Sequence, residues 1–303
     1  MKNVLVLGTG FISKNVLEQR DYIENDINKI ISVSREEVFL FSDHHIKSEL
    51  SDIETINSIL IEEKINTIYF FLGPSFPSIS FEYIINDIKS CLVPFIELLQ
   101  LASQNSIKEI VMMGSAGTVY GSESKKKFQE DEIIMQENSY GAMLKTMENY
   151  LILYSKKFDI KYKILRLSNV FGIYHENPEN GIINIAIRKT LQNKPISIFS
   201  KASKNYIYSK DVGKIFWLLN RLKEFNFTVN VSSTYNLTVS NICIKIKKAL
   251  PNLDTIGQLG NAGYDTIPPK INNLKLNTLI KYQFTSLQIA INETVAWEKT
   301  KLK

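Results

Sequence analysis

Residues 4–19 constrain the fold more than any other stretch of the chain. Val4 to Leu7 is a compact β-branched and leucine run, suited to a parallel strand buried on both faces. Gly8-Thr9-Gly10-Phe11-Ile12-Ser13 follows at once, and Lys14 to Gln19 continues as a helix. Strand, glycine turn and helix, in that order, is the context in which a G-x-G-x-x-G-like match carries meaning. Gly8 permits the tight turn. Gly10 lets a diphosphate approach the helix N-terminus, where free N–H groups and the helix dipole meet negative charge. The third glycine is replaced by Ser13, small enough to keep helix and strand close. The stretch reads either as a dinucleotide site or as a structural turn, and its place directly after the first strand favours the dinucleotide.

Further buried-strand runs follow at Ile30 to Val33, Ile65 to Leu72, Ile110 to Met113 and Tyr162 to Leu167. Helical patterns separate them, the longest from Tyr83 to Gln104 with apolar residues near 3.6 spacing. Asp52 is placed to cap the helix of Ile53 to Glu63. Strands alternating with helices over the whole length predict an α/β fold, a doubly wound parallel (Rossmann) sheet with a smaller C-terminal lobe. Without a repeat or a flexible linker, the two lobes are expected to be contiguous, with a cleft between them.

The 303 residues suffice for an ample core, and 44% hydrophobic with 22% charged residues is ordinary for a soluble globular chain. The net charge of +5 is mild and its lysines are scattered. The runs Lys125-Lys126-Lys127 and Lys245-Ile246-Lys247-Lys248 read as solvated faces, so no nucleic-acid partner is expected. No apolar run approaches the ~18 residues a bilayer span needs, so no membrane partner is expected either. Met1-Lys2-Asn3 leads directly into a strand, so no signal peptide is expected. Cys91 and Cys243 sit in apolar-periodic segments and read as buried free thiols of a reducing, cytoplasmic compartment. The glycosylation-like triplets at Asn226, Asn230 and Asn236 then read as chance. His44, His45 and His175 show no metal-ligand spacing, so no metal is expected, and His44-His45 reads as exposed loop.

Where a dinucleotide unit usually carries an acidic residue for the ribose hydroxyls, about 20 residues beyond the glycines, this chain has Ser34-Arg35. A neutral serine followed by arginine suits a 2′-phosphate, which favours NADP(H) and leaves NAD(H) as the alternative. Glu36 and Glu37 follow at once, and the bland reading of Arg35 is a solvated loop residue.

The chemistry centres on residues 110–151. The strand at Ile110 to Met113 breaks into Gly114, Ser115, Ala116, Gly117 and Thr118, and a later helix is entered through Asn138, Ser139 and Tyr140. A hydroxyl-rich strand end beside a helix with tyrosine in its first turn suits proton transfer.

The chain resembles the extended short-chain dehydrogenase/reductases, the NAD-dependent epimerase/dehydratase family, from the Gly8 loop to the Trp297 helix. Gly117-Thr118-Val119-Tyr120-Gly121, Tyr140-Gly141, Glu148-Asn149-Tyr150-Leu151 and Ser168-Asn169-Val170-Phe171-Gly172 carry the likeness best. The resemblance implies an oxidoreductase acting on a nucleotide-activated sugar, with Tyr140 as acid/base and Ser115 or Thr118 as the hydroxyl on the substrate oxygen. Cofactor contacts are implied at Gly8, Gly10, Phe11, Ile12, Ser34 and Arg35. Glu49 and Leu50 are implied to flank the adenine, and Leu72, Gly73, Tyr140, Leu167 and Ser168 to lie toward the nicotinamide. Substrate contacts are implied at Ser75, Asn169, Lys204 and Tyr206, with Lys204 standing where the family's arginine clamps the diphosphate. Asp211 reads as a helix cap, and the tail from Thr285 to Trp297 resembles the family's closing helix. The expected organisation is a dinucleotide-binding domain of residues 1–172 with 205–230 and a substrate-binding lobe of 173–204 with 231–303. A homodimer through the helices Tyr83–Gln104 and Tyr140–Lys157 is implied as well.

Besides Ser13 and Lys204, two positions of the implied catalytic set differ from the family. The lysine expected four residues after the tyrosine, which holds the nicotinamide ribose and lowers the tyrosine pKa, is Leu144, and the nearest lysine is Lys145. At about 100° per residue, position 144 lies roughly 40° from Tyr140 on the helical wheel and position 145 roughly 140° away. Lys145 is therefore expected to point off the cofactor unless a π-bulge re-phases the helix. The usual Ser or Thr before the Val119-Tyr120-Gly121 segment is Ala116. Without an adjacent ammonium, Tyr140 is expected to keep a pKa near ~10 and to serve as a proton donor rather than a base. That leans toward reduction of a keto-sugar. The alternatives are an epimerase or dehydratase, or a decayed member that only binds cofactor or nucleotide sugar.

Overall fold

The computed structural model describes residues 1–121, 127–132, 135–197, 202–256 and 270–301. β1 (Lys2–Leu7) passes through the glycine turn into α1 (Phe11–Glu18), which returns the chain to β2 (Ile27–Ser34) and the edge strand β3 (His44–Lys47). α2 (Ile53–Glu62) crosses to the other side of β1, to β4 (Thr67–Phe70). A helical stretch follows: α3 (Ile84–Asp87), a π-helical turn (Ile88–Leu92) and α4 (Val93–Gln104). β5 (Glu109–Ser115), β6 (Lys127–Phe128), α5 (Ser139–Phe158) and β7 (Lys161–Leu167) come next. The chain then runs through β8 (Asn169–Phe171), α6 (Ile182–Leu191), β9 (Ile196–Ser197), β10 (Lys204–Tyr208) and α7 (Ser209–Arg221) before β11 (Phe227–Val231) rejoins the large sheet. β12 (Asn236–Leu237), α8 (Val239–Ala249), β13 (Thr255–Ile256), β14 (Lys270–Ile271), α9 (Leu274–Leu279) and α10 (Leu287–Thr300) follow.

The large sheet has the order β3-β2-β1-β4-β5-β7-β11, parallel throughout. Alternation along β1 sorts its side chains onto two faces. Leu5 and Leu7 join a core with Ile56 of α2, Leu98 of α4 and Met147 of α5. Val4 and Val6 join another with Val16 of α1 and Ile215 and Trp217 of α7. Each of these β1 side chains is fully buried, worth roughly 1.5–3 kcal/mol apiece relative to exposure. A third core joins Phe171, Ile187, Tyr206, Ile246 and Ile291, where α10 packs on α6 and α8. The strand order reverses between β1 and β4, and ligands of such sheets bind outside the carboxyl ends of the strands at that point.

Several expectations hold, and others need correction. Asp52 caps α2 by accepting from Thr55 N at 3.2 Å. Ser286 caps α10 by accepting from Ile289 N. His44-His45 is a strand rather than a loop: it pairs with β2, and His45 Nδ1 lies 2.8 Å from Ser32 Oγ. The expected single helix of residues 83–104 contains the π-helical turn just before Pro94, at the first turn of α4. Proline lacks an N–H and its ring crowds the preceding turn, which wider winding relieves. Asp211 does not cap its own helix: it accepts from Tyr282 Oη at 2.7 Å, Thr285 Oγ1 at 2.6 Å and Thr285 N at 3.1 Å. Both cysteines are buried free thiols. Lys125 and Lys126 lie outside the described residues. Among those residues no helix is long and apolar enough to cross a membrane, and no cluster of His, Cys, Asp and Glu could hold a metal ion.

Candidate active site

A cleft of about 1250 Å³ opens at the carboxyl ends of β1, β2, β4, β5 and β7. Its floor begins at the glycine loop. Gly8 has φ +94, and a Cβ there would meet Leu72 Cδ2 at 2.9 Å, so only glycine lets the loop turn while β4's exit packs against it. A Cβ on Gly10, by contrast, would meet nothing within 4 Å. Open space therefore lies beside the α1 N-terminus, where Gly10 occupies the cap position without a side-chain acceptor. Ser13 is fully buried and donates to Gly10 O at 3.0 Å. Phe11 and Ile12 line the same wall.

At the end of β2, Ser34 and Arg35 line the cleft, and so do Glu49 and Leu50, which follow the neighbouring β3. Thr9 Oγ1 donates to Ser34 Oγ at 2.6 Å, joining the glycine loop to this turn. Both acidic neighbours of Arg35 are engaged elsewhere, Glu36 with Lys14 at 3.8 Å and Glu37 with Lys47. Arg35 itself is exposed and has no carboxylate within ion-pair distance among the described residues.

The far end holds the proposed chemistry. Asn138 caps α5, accepting from Gly141 N at 2.8 Å, which sets Tyr140 in the first turn and into the cleft. A Cβ on Gly141 would lie 2.2 Å from Thr118 O, so the β5 loop packs backbone to backbone on that turn. Ser115 and Thr118 line the cleft on this loop, and Ala116 is wholly buried. Thr118 Oγ1 and Ser168 Oγ are buried without a hydrogen-bond partner in the described structure. Tyr140 is half-buried; burial pushes its phenol up to about 12, and nearby Cys91 adds to the rise. The sequence-based expectation of an ordinary phenol is corrected to that extent.

Leu144, 2% exposed, lines the cleft one turn after Tyr140. α5 is an unbroken α-helix, and Lys145 reaches Glu148 Oε2 at 3.2 Å instead. Glu148 is fully buried and accepts from Arg166 Nε at 2.9 Å and Nη2 at 2.7 Å. Arg166 Nη1 also donates to Tyr120 Oη at 2.6 Å, and Tyr120 donates to Asn230 Oδ1 at 2.8 Å. This network anchors α5 to β7 beneath the cleft.

Leu72, Gly73, Leu167, Ser168, Asn169 and Lys204 complete the expected lining, Asn169 also donating to Asn205 O at 2.8 Å. Two expected residues fall outside it. Ser75 turns back onto Asp87, with Oγ 2.7 Å and N 3.1 Å from Oδ1, and Tyr206 is buried in the third core. Sequence reading missed other lining residues: Cys91, Phe76, Phe81, Glu82, Glu179, Asn180 and Ile271. Cys91 had no signal of its own, since its apolar setting marks only burial. The cleft fits a dinucleotide: open space at Gly10, a free α1 terminus and the unpartnered Ser168 hydroxyl are what a bound diphosphate and ribose would use.

Residues 4–232 match the NAD dependent epimerase/dehydratase family. The chain belongs to that family. It is 32% identical over 174 residues to a Methanocaldococcus jannaschii protein assigned as a UDP-glucose 4-epimerase, covering 56% of this chain and 54% of that protein. To the dTDP-4-dehydro-6-deoxyglucose reductase of Escherichia coli it is 26% identical over 208 residues, 68% of this chain and 66% of the other. The matches thus span from about half to just under two thirds of these curated relatives. Among solved structures, the UDP-glucose 4-epimerase of Thermotoga maritima with UDP-glucose superposes with a TM-score of 0.89 at 21% identity, over 99% of this chain and 100% of that one. The Thermus thermophilus UDP-glucose 4-epimerase in complex with NAD gives 0.86 at 20% identity, over 98% and 99%. At such identity these two structures establish the shared fold.

Proposed function

We propose that the protein is an NAD(P)-dependent oxidoreductase that reduces a keto group on a nucleotide-activated sugar, with Tyr140 as proton donor. The observation that carries this reading is the placing of the half-buried Tyr140, whose phenol burial pushes up to about 12, beside Leu144 in the cleft, while Lys145 is drawn off to Glu148. Alcohol oxidation needs a base, and a phenol raised to about 12 is a poor one at neutral pH. Ketone reduction needs a donor to the developing alkoxide, which a neutral phenol supplies. A bound nicotinamide would contribute the hydride equivalent to the carbonyl carbon. Tyr140 Oη gives its proton to the carbonyl oxygen, so the products are an alcohol and a tyrosinate that solvent reprotonates. Ser115 and Thr118 hydrogen-bond the same oxygen, the Thr118 hydroxyl having no competing partner. The likeness to an Escherichia coli dTDP-sugar reductase supports this direction.

For the cofactor, Arg35 supports NADP(H): it lines the cleft with no carboxylate in ion-pair range among the described residues, while Glu36 and Glu37 are held by lysines. The family's dependence on NAD supports the alternative. Residues 1–172 with 205–230 hold the dinucleotide in this reading, and 173–204 with 231–303 the sugar nucleotide, whose diphosphate meets Lys204. A second reading, 4-epimerisation, is favoured by the likeness to UDP-glucose 4-epimerases. A homodimer through α3–α4 and α5 is supported by exposed Ile85, Val93, Leu153 and Phe158 on those helices, and sedimentation tests it.

Fluorescence titration with NADPH and NADH, combined with thermal-shift screening of UDP- and dTDP-sugars, tests the reading. Binding of a dinucleotide and at least one sugar nucleotide, with turnover of a 4-keto sugar that Tyr140→Phe lowers by about 10²–10⁴, is the expected result. Binding without turnover would leave a binding protein, and retained activity in Tyr140→Phe would remove the donor assignment.

A further inference from the structure

The segment between β8 and α6 lies along α1 through three successive residues. Asn15 Nδ2 donates to Ile173 O at 2.9 Å, and Tyr174 Oη donates to Glu18 Oε1 at 2.8 Å. The His175 ring then meets Phe11 edge-on, with centroids 4.7 Å apart. Phe11, Asn15 and Glu18 follow the four- and three-residue spacing that makes one face of a helix. Phe11 is the first residue of α1 and lines the cleft beside the glycine loop.

On its other side the His175 ring packs against Gly181. A Cβ there would lie 2.7 Å from both Nε2 and Cε1, and the residue has φ +83, so the seat admits only glycine without strain. Gly181 caps α6 and directly follows Glu179 and Asn180, which line the cleft. The imidazole, 7% exposed, is therefore wedged between the cofactor loop and the lip contributed by the second lobe.

Arg188 of α6 fixes the ring. Its Nη2 lies 3.2 Å from His175 Nδ1 and donates to His175 O at 3.0 Å, its Nη1 donates to Glu176 O at 3.2 Å, and its Nε lies 3.1 Å from Glu298 Oε1. A guanidinium facing Nδ1 demands a lone pair there, hence a neutral ring with its proton on Nε2. Burial and the Arg188 charge, which lower the His175 pKa to about 4, act in the same sense.

We infer that His175 is a positioning residue that couples the dinucleotide site to the sugar-nucleotide site, through Phe11 on one side and Gly181 on the other. The inference rests on the two-ligand reading of the cleft proposed above. A dinucleotide seated at the α1 terminus orders Phe11; the ring passes that order to Gly181 and so to Asn180, which the second ligand then finds already arranged. Such coupling is reciprocal, and it lies in the affinity of one ligand given the other rather than in either affinity alone.

The test is a binding cycle by calorimetry. The Kd of UDP-glucose is measured with and without saturating NADPH, and that of NADPH with and without UDP-glucose, in the wild type, His175→Ala and His175→Gln. Wild type is expected to bind UDP-glucose about five-fold or more tighter when NADPH is present. In both variants that ratio is expected to fall toward one while NADPH alone binds as before. Glutamine keeps an acceptor for Arg188 and lacks the ring over Phe11, so it decides the matter if the alanine variant does not fold. A wild-type ratio of one, or variants that keep the wild-type ratio, would overturn the inference. Failure of wild type to bind either ligand would instead overturn the functional reading beneath it.

Discussion

Lys145 Nζ sits 3.2 Å from Glu148 Oε2, on a carboxylate that also takes two hydrogen bonds from Arg166. The lysine nearest to Tyr140 in the chain is thus built into the support of α5, while Leu144 occupies the position facing the cleft. A single step of helical phase separates a cation beside the phenol from a cation beneath it.

Leu144→Lys is expected to restore a base. An ammonium within ~4–6 Å of a phenol favours the phenolate and lowers its pKa by about 1–3 units. Starting from about 12, Tyr140 would titrate nearer neutrality, so alcohol oxidation at pH 7 is expected to rise by about ten-fold or more, with its pH–rate profile moved to lower pH. Reduction should change less. The site is 2% exposed, and burying an ammonium there is expected to destabilise the fold by roughly 1–3 kcal/mol, read from the urea midpoint.

Removing charge from Glu148 is expected to hurt far more. Glu148→Gln leaves the buried Arg166 guanidinium and the Lys145 ammonium without their counter-ion, and breaking a buried pair from one side costs roughly 3–5 kcal/mol. Urea unfolding should show a lowered midpoint at unchanged slope. A loss under about 1 kcal/mol would mean the pair is dispensable to the fold.

Gly141→Ala places a methyl 2.2 Å from Thr118 O and 2.9 Å from Thr118 C, both backbone atoms that cannot rotate aside. The β5 loop must shift, at roughly 1–3 kcal/mol, and an ångström of misplacement at Thr118 and Tyr140 costs up to about 10² in kcat. Dinucleotide affinity, set at the glycine loop, should hold. Steady-state kinetics beside NADPH titration distinguishes the two effects.

His175 sets an acid limb on stability. Its folded pKa of about 4 lies below the ~6.5 of an unfolded chain, so between those values the unfolded state binds a proton the folded state refuses. Its contribution is complete above pH ~6.5 and disappears as pH falls to about 4, a change on the order of 3 kcal/mol. His175→Gln should flatten unfolding free energy against pH across that interval. An unchanged slope would assign the acid limb to other groups.

Local rules made much of this legible in the chain. The β1–Gly8–Gly10–α1 unit, the Asp52 and Asn138 helix entries and the outward phase of Lys145 all rest on neighbours within about four residues, where periodicity and capping act. What escaped depends on distant partners. Asp87, twelve residues on, takes the Ser75 hydroxyl away from the cleft. The π-helical turn at Ile88–Leu92 holds Cys91, which faces the cleft, though Pro94 alone reads equally as an ordinary helix start. Burial raises the Tyr140 phenol, and no spacing rule reports the degree of burial.

The sequence by itself determined the doubly wound sheet, the glycine turn of Gly8 and Gly10 and the tyrosine with leucine, not lysine, one turn on, because each is a matter of local backbone preference and side-chain period. Only the tertiary structure decided which side chains meet across the cleft. It drew Arg166 of β7 onto Glu148 of α5, sorted Ser75 and Tyr206 away from the lining, and wedged His175 between Phe11 and Gly181. Those choices follow from the packing of whole elements against each other, where a residue's partners lie a dozen or more positions away in the chain and competition for buried hydrogen bonds settles each side chain's direction.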